Sequence, residues 1–452
     1  MPRLQELIHA LEVGSGARYL RVVALLLAVI TIAIFYDLRE LQNFRTEEAM
    51  DAAQVGRNIA EGRGFTTRYI RPLSMAVIRD HRPDRDPLIK GEHPDLANPP
   101  LYPLLIAGVM KIPGLFDHQI PSPKEGQFRR HQPDFLITVL NQAMLFLSIA
   151  LTWFLARKLF EPKVGLLTAL AMLGSEVLWQ FSGSGLPTML CLVLFMLLAN
   201  ILYGLSAGSR RDPIQGLGVA IVLAAIAGLL CAALCLTRYA LGVMIIPVVV
   251  YLIASFPGRR AILPVVAGVV FLLAISPWLA RNWQICGNPF GIAPYSLAQE
   301  TSQFTDNWLT RSLDADVSKV GRDDIVRKSF LGASQVLREE LPQLGGSWLT
   351  AFFLAGLLVP FVDRSRAQLR WFTVGALAAL SLAQILSRTY LSTDLPRVNS
   401  ENLLVLMTPM VAMFGMALVW LLVYSLDVFA EAWRSVVLGL VIAVLWFPLV
   451  VG

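Results

Sequence analysis

Charged residues are scarce in this chain of 452 residues. They make up 15% of the sequence, whereas roughly a quarter of a soluble domain is charged. Hydrophobic residues reach 56%, mean hydropathy is +0.60, and long apolar runs recur throughout. This composition excludes a soluble enzyme with one membrane anchor and predicts an all-α polytopic membrane protein.

Motifs typical of several other classes are missing. The four cysteines form no disulfide framework, and no ligand spacing supports a tightly bound metal. The sequence therefore indicates no cofactor with certainty. A divalent metal stays an alternative, but no ligand spacing supports it. The sequence has no glycine-rich phosphate loop, and no convincing internal repeat, which disfavours transporters built on repeated halves. The net charge of +6 lies largely in short loops, so we expect no nucleic acid partner.

Eleven apolar segments are candidate transmembrane helices, because most are near the length that crosses about 30 Å of hydrocarbon. Basic residues before the first segment, with no cleavage site after it, predict an uncleaved signal anchor. A shorter run at 99–113 has three prolines in its first five residues and is predicted to lie on the membrane surface. The segments are about 22–36, 135–156, 164–181, 187–205, 217–236, 240–256, 261–280, 347–362, 371–387, 402–426 and 435–451.

The basic residues between the segments indicate the topology. If 99–113 does not cross the membrane, all the basic residues between the segments lie on the cytoplasmic side with the N-terminal arginines, as the positive-inside rule requires. We therefore predict eleven spans in the cell inner (plasma) membrane, with a cytoplasmic N-terminus. Residues 1–452 would form one transmembrane domain, with large outer loops at 37–134 and 281–346 and a smaller one at 388–401. The basic residues are Arg157, Lys158, Lys163, Arg210, Arg211, Arg259, Arg260, Arg364, Arg366, Arg370 and Arg434.

A group of three acids lies a short way beyond the first apolar segment: Glu47, Glu48 and Asp51. The stretch up to Glu61 is predicted to be helical with Thr46 as its N-cap, so that Glu47 and Asp51 share a face and Glu48 points elsewhere. On one interpretation these are ordinary acids at a helix start, where they suit the helix dipole. On the other they are catalytic, because a carboxylate at the membrane face can take a proton from an acceptor.

Further motifs follow the acids in a fixed order. The helix ends in the run Asn58 to Phe65, with sequence NIAEGRGF, and the run Asn98 to Ala107 begins NPPLY. Later come the turn Thr237 to Tyr239, the run Pro277 to Asn282 (PWLARN) and the run Gly287 to Phe290 (GNPF). This set resembles the first outer loop and later outer motifs of GT-C glycosyltransferases. It is most similar to the family-39 branch, which includes protein O-mannosyltransferases and the aminoarabinose transferase of lipid A.

The resemblance implies a GT-C fold with amphipathic juxtamembrane helices in the first outer loop. It implies inverting transfer of a hexosyl or pentosyl group from a polyprenyl-phosphate donor to a protein, lipid or glycan acceptor at the outer (periplasmic) face. One acid among Glu47, Glu48 and Asp51 would be the general base. The family's leading Asp is a Glu here, so the choice among the three stays open.

Arginines at the outer ends of spans are candidates for binding the donor phosphate. A guanidinium group can bind this phosphate and stabilise the charge that develops on it as it leaves, although snorkelling is the alternative. Some related enzymes carry a second acid in the next outer loop, whereas residues 181–188 contain none. The candidates are Arg238, Arg281 and Arg397 for the phosphate, with His93, Lys90 and Glu176 as accessory residues.

Two other functions are weighed against this one. A transporter or flippase of lipid-linked sugars would need polar residues lining several spans, and these are scarce. A non-catalytic scaffold would explain the missing second acid. Turnover in detergent, without a second compartment, separates an enzyme from a flippase.

Overall fold

The computed structural model describes residues 15–41, 43–82, 92–112, 114, 131–208, 216–256, 261–314, 316–394, 396–425 and 431–451. Of the residues singled out from the sequence, Lys90, Arg210, Arg211, Arg259 and Arg260 lie outside these ranges.

Helices dominate the described residues. Inside a bilayer a helix satisfies all backbone hydrogen bonds within its own segment, so apolar runs of this length form helices. Two short strands, β1 (Thr66–Thr67) and β2 (His93–Pro94), pair antiparallel. The α-helices are α1 (Ser15–Glu40), α2 (Glu47–Ala60), α3 (Pro72–His81), α4 (Leu101–Met110), α5 (Gln132–Leu159), α6 (Pro162–Leu173), α7 (Glu176–Gly183), α8 (Thr188–Gly208), α9 (Gly216–Thr237), α10 (Ile245–Ser255), α11 (Ile262–Cys286), α12 (Arg322–Gln335), α13 (Leu341–Gln343), α14 (Trp348–Leu358), α15 (Arg364–Ser387), α16 (Leu391–Asp394), α17 (Thr408–Ser425) and α18 (Glu431–Val451).

Several of these helices can cross a membrane. In the described ranges, seven are long and apolar enough, and two bent pairs raise the number to nine. One pair is α6 with α7, bent by 54°, and the other is Arg322–Gln343 with α14, bent by 102°. The chain is therefore a helical membrane protein with several spans, and the count of eleven stays a prediction.

The proline-rich run at 99–113 forms the short helix α4. Its ten residues rise about 15 Å, half of the hydrocarbon thickness. It packs against α2, where a Cβ on Gly56 would lie 2.7 Å from Ile106 Cγ2. This close packing joins the helix that carries the three acids to the helix predicted to lie on the membrane surface.

The centre of the bundle is formed by α17. Within the span Leu403–Ser425, 83% of the most apolar window is buried, against 11% for Trp433–Val451 at the periphery. Gly415 lets α14 approach closely, because a Cβ there would lie 2.7 Å from Leu349 Cδ1. The span that contains α17 is therefore the most buried of the candidate spans in the described part of the chain.

Candidate active site

A cavity of about 430 Å³ lies at one end of the bundle. Its walls come from distant parts of the chain: α2, the segment between β1 and α3, the start of α4, the break after α9, the segment after α11 and the segment after α15. The polar residues that line it are Glu47, Glu48, Tyr69, Arg71, Asn98, Tyr102, Thr237, Arg238, Tyr239, Ser296, Gln299, Asn307, Thr310, Arg311, Ser387, Thr389, Tyr390, Ser400 and Glu401.

Glu48 has one engaged and one free carboxylate oxygen. Thr46 caps α2 by accepting a hydrogen bond from the Ala49 amide at 3.3 Å, which sets Glu48 in the first turn of the helix. The Ser400 hydroxyl donates to Glu48 Oε1. Glu48 Oε2 is buried and has no hydrogen-bond partner in the described part of the chain. An unsatisfied buried acceptor of this kind is placed to accept a hydrogen bond from a bound group.

Glu47 lies nearer to the solvent. It is exposed, and Glu47 Oε2 accepts hydrogen bonds from the hydroxyls of Tyr69 at 2.8 Å and Tyr390 at 3.4 Å. The predicted helix start thus places two neighbouring acids in different surroundings.

Asp51 is a buried carboxylate, and it is not among the lining residues. It accepts hydrogen bonds from Thr67 Oγ1 at 2.7 Å, Arg71 Nη1 at 2.9 Å and Asn98 Nδ2 at 2.8 Å. Burial lowers the pKa of Arg71, but Asp51 and Asp95 more than offset this and leave it raised. Asp51 therefore holds two cavity residues, Arg71 and Asn98, in place.

Arg238 presents an unpaired guanidinium group to the cavity. It lies where α9 ends and the 3-10 helix Tyr239–Met244 begins, in extended backbone. Within the described ranges, its side chain makes no hydrogen bond and no ion pair. Burial lowers its pKa, while the charges of Glu48 and Glu401 act in the opposite direction. Arg238 is half-buried, and a cation that is partly withdrawn from water without a protein counter-charge is suited to an anionic ligand.

The other predicted arginines lie elsewhere. Arg281 is not among the lining residues; it donates to the backbone oxygens of Asp95 at 2.8 Å and Phe65 at 3.2 Å, and stacks over Trp278 at 4.6 Å. Arg397 lines a neighbouring groove of about 620 Å³ between α1 and α18. Only Arg238 of the three predicted arginines lines the cavity.

The two accessory residues that the structure describes, His93 and Glu176, do not line the cavity. His93 is buried in β2, where it pairs with Thr67 of β1. Glu176 lines the same groove as Arg397 and accepts a hydrogen bond from Gln180 Nε2 at 2.7 Å. Lys90 lies outside the described residues.

Comparisons with known proteins agree with this architecture. Residues 130–280, about a third of the chain, match the family described as dolichyl-phosphate-mannose-protein mannosyltransferase. The oligosaccharyltransferase of Archaeoglobus fulgidus, solved with zinc and sulfate, superposes with a TM-score of 0.54 at 12% identity, over 93% of this chain and 52% of that one. ArnT from Cupriavidus metallidurans, solved with undecaprenyl phosphate, superposes with a TM-score of 0.54 at 11% identity, over 94% of this chain and 69% of that one. The chain has the GT-C fold.

This GT-C chain spans about half the length of the archaeal oligosaccharyltransferase. No curated protein has a significant sequence match to it. The family match begins after the acids of α2 and therefore does not include them. Their interpretation is based on the structure and on the order of the sequence motifs.

Sequence reasoning missed an acid of the GT-C chain's cavity, Glu401. It is 5% exposed, and its carboxylate accepts hydrogen bonds from the Thr389 amide at 2.9 Å and from the Thr389 hydroxyl. Burial, with a smaller contribution from Glu48, raises its pKa to about 7. Its position one residue before the apolar span at 402–426 is a signal that the sequence does contain.

Metal binding has little support in the described side chains. Among them, no three or more His, Cys, Asp or Glu residues are grouped so as to hold a metal ion. Glu401 is buried and Glu48 is half-buried, and an all-protein site for Ca²⁺ needs six or more oxygen ligands, whereas Mg²⁺ needs only one or two carboxylates with water and substrate phosphates. The described residues therefore form no closed, all-protein cage for a divalent ion.

Proposed function

We propose that this protein is a membrane glycosyltransferase that moves a sugar from a polyprenyl-phosphate donor to an acceptor hydroxyl. The observation that carries the proposal is the pairing of two unsatisfied groups in one cavity. The unpaired Arg238 guanidinium supplies an anion site, and Glu48 Oε2 supplies a free proton acceptor. A phosphate leaving group and a nucleophilic hydroxyl need these two functions.

Arg238 binds the donor phosphate in this proposal. The charge on the bridging phosphate oxygen grows as the bond to the sugar breaks, and a guanidinium group positioned beforehand stabilises it. Arg71, held by Asp51, adds a second positive charge on the cavity wall. Arg281 connects two loops by hydrogen bonds to their backbone oxygens. Arg397 contacts lipid or acceptor in the neighbouring groove.

Glu48 is the general base. It takes the proton of the acceptor hydroxyl while the acceptor oxygen attacks the sugar C1 from the side opposite the phosphate, which inverts the configuration at C1. Ser400 fixes the carboxylate through Oε1 and leaves Oε2 available. Asp51 is fully engaged with three donors, and Glu47 is exposed, so each fits the role less well.

The cavity faces the outside of the cell in this proposal. Arg157 and Lys158 lie in the last turn of α5, and Arg364 and Arg366 lie in the first turn of α15, whose last residue, Ser387, lines the cavity. The basic residues of α15 thus lie at the end away from the cavity. The positive-inside rule puts that end in the cytoplasm and supports an active site on the periplasmic face of the inner membrane.

The test uses purified protein in detergent with radiolabelled mannosyl phosphocitronellol and an extract of membrane lipids and proteins as acceptors. We expect label to move into acceptor material, and a flippase would give none without a second compartment. Binding of undecaprenyl phosphate, measured by native mass spectrometry, tests the anion site independently of the acceptor. Full activity in a variant with Glu47→Gln, Glu48→Gln and Asp51→Asn together would overturn the carboxylate mechanism.

A further inference from the structure

Glu401 is held on the cavity wall with room for a proton. Thr389 donates one hydrogen bond to each carboxylate oxygen, from its amide at 2.9 Å and from its hydroxyl. Each carboxylate oxygen has two lone pairs, so a proton on either oxygen is compatible with both bonds. The side chain is 5% exposed and lines the cavity. It is therefore oriented by the protein and sheltered from bulk water.

The surroundings of Glu401 differ from those of Glu48. Glu48 has a free oxygen, whereas Glu401 accepts a bond at both. Arg238 lies close enough to both acids to interact electrostatically, without an ion pair to either in the described part of the chain. A phosphate bound at Arg238 would then have both acids as neighbours.

Three charged groups act on Glu401: Glu48 from α2, Arg238 from the end of α9 and Lys328 from α12. Burial is the main reason that the pKa of Glu401 is raised to about 7, with Glu48 adding to it and Arg238 opposing it. A substantial fraction of Glu401 is thus protonated at neutral pH. Pairs of acids in contrasting surroundings divide the acid and base roles of a reaction between them.

We propose that Glu401 is the general acid that protonates the departing phosphate, a role that rests on the proposed glycosyl transfer. The acceptor oxygen forms a bond to the sugar C1 as the bond from C1 to the phosphate oxygen breaks, and that oxygen keeps the bonding electron pair. Glu48 receives the acceptor proton, and Glu401 gives its proton to the phosphate. Water then takes the proton from Glu48 and returns one to Glu401, which restores both groups.

Two donors with different leaving groups test this role. Mannosyl phosphocitronellol releases an alkyl phosphate, and mannosyl 4-nitrophenyl phosphate releases a less basic aryl phosphate that needs less help from an acid. We expect Glu401→Gln to lower kcat at least tenfold with the alkyl donor and clearly less with the aryl donor. Glu48→Gln should lower kcat equally with both donors, because it acts on the acceptor. Glu339→Gln, at an exposed acid, is the matched control.

The pH profile gives a second readout. The wild type should lose kcat as pH rises and Glu401 loses its proton, and Glu401→Gln should lack this alkaline limb. Thr389→Val removes a hydrogen bond that favours the ionised form, so the limb should move to higher pH. This variant keeps the test decisive if Glu401→Gln does not fold.

Equal losses with both donors, or an alkaline limb unmoved by Thr389→Val, would overturn the acid role. A wild type that transfers sugar from neither donor would instead contradict the proposed function itself. The two failures are therefore distinguishable.

Discussion

The Ser400 hydroxyl donates a hydrogen bond to Glu48 Oε1, across 352 positions of sequence. This bond joins the first helix after α1 to the segment between α15 and α17. It occupies Oε1 and leaves Oε2 without a hydrogen-bond partner among the described residues.

The first prediction concerns this bond. Ser400→Ala should lower kcat about tenfold with little change in KM, because it removes the donor that orients the base but no group that binds substrate. Ser329→Ala, which removes a hydroxyl bonded to its own helix, should leave kcat unchanged. Steady-state kinetics with the alkyl donor measure both, and a rise in KM alone would count against an orienting role.

The second prediction separates the neighbouring acids. Glu48→Gln should lower kcat by about a hundredfold or more, since general base catalysis contributes a factor of roughly that size. Glu47→Gln should lower it less than about tenfold, because Glu47 is exposed and bonded to two tyrosine hydroxyls. If single-turnover rates instead fall further in Glu47→Gln than in Glu48→Gln, Glu47 would be the general base.

The third prediction compares the three arginines. Arg238→Ala should weaken undecaprenyl phosphate binding by about 1.5–3 kcal/mol, the range for hydrogen bonds to charged groups, and Arg238→Lys should restore part of it. Arg397→Ala should leave this affinity unchanged. Arg281→Ala should lower the melting temperature more than the affinity, because its partners are backbone oxygens of two loops. Titration by native mass spectrometry and a thermal melt measure the two effects separately.

The fourth prediction concerns Asp51. Asp51→Ala should destabilise the protein by about 3–5 kcal/mol, because it leaves a largely buried Arg71 without its partner. Thr67→Val removes one of the same hydrogen bonds and the bond accepted from the Tyr69 amide at 3.0 Å, without leaving a buried charge unpaired, and should cost only about 2 kcal/mol. Thermal unfolding in detergent is the measurement. An Asp51→Ala variant that melts like the wild type but lacks activity would instead make Asp51 a catalytic candidate.

The fifth prediction is a pH dependence of stability. The pKa of Glu401 is about 7 in the folded protein, above its ordinary value of 4.5. The folded state then binds more protons than the unfolded state between these two pH values, so the free energy of unfolding falls as pH rises through the window, by up to about 3 kcal/mol. Glu401→Gln should flatten this fall relative to the wild type. Melting temperatures at pH 5 and pH 8 test it, and parallel curves would contradict it.

The sequence was informative where local physics decides the outcome. Long apolar runs form helices because no alternative satisfies the backbone in lipid, and Thr46 caps α2 through its own side chain. Arg238 lines the cavity, as its place at the end of a span suggested. The short helix α4 was predictable because its apolar run is short and begins with prolines.

The partners of the acids were not predictable in the same way. Asp51 is bonded to Thr67, Arg71 and Asn98, and these contacts depend on how the β1–β2 pair and α4 pack on α2. Glu401 reaches the cavity because α15 and α17 bring its segment back to α2. No local pattern encodes such an approach, since it is set by the packing of helices hundreds of positions apart.

The bond between Glu48 and Ser400 also has a consequence for biosynthesis. The ribosome delivers Glu48 to the membrane long before Ser400 has been translated, so a nascent chain carries the proposed base without the residue that orients it. We therefore expect a half-inserted chain, which also lacks Glu401, to consume donor lipid much more slowly than the complete chain. Two fragments divided between α11 and α12 should each be inert and regain transfer only when they are co-inserted and reassemble.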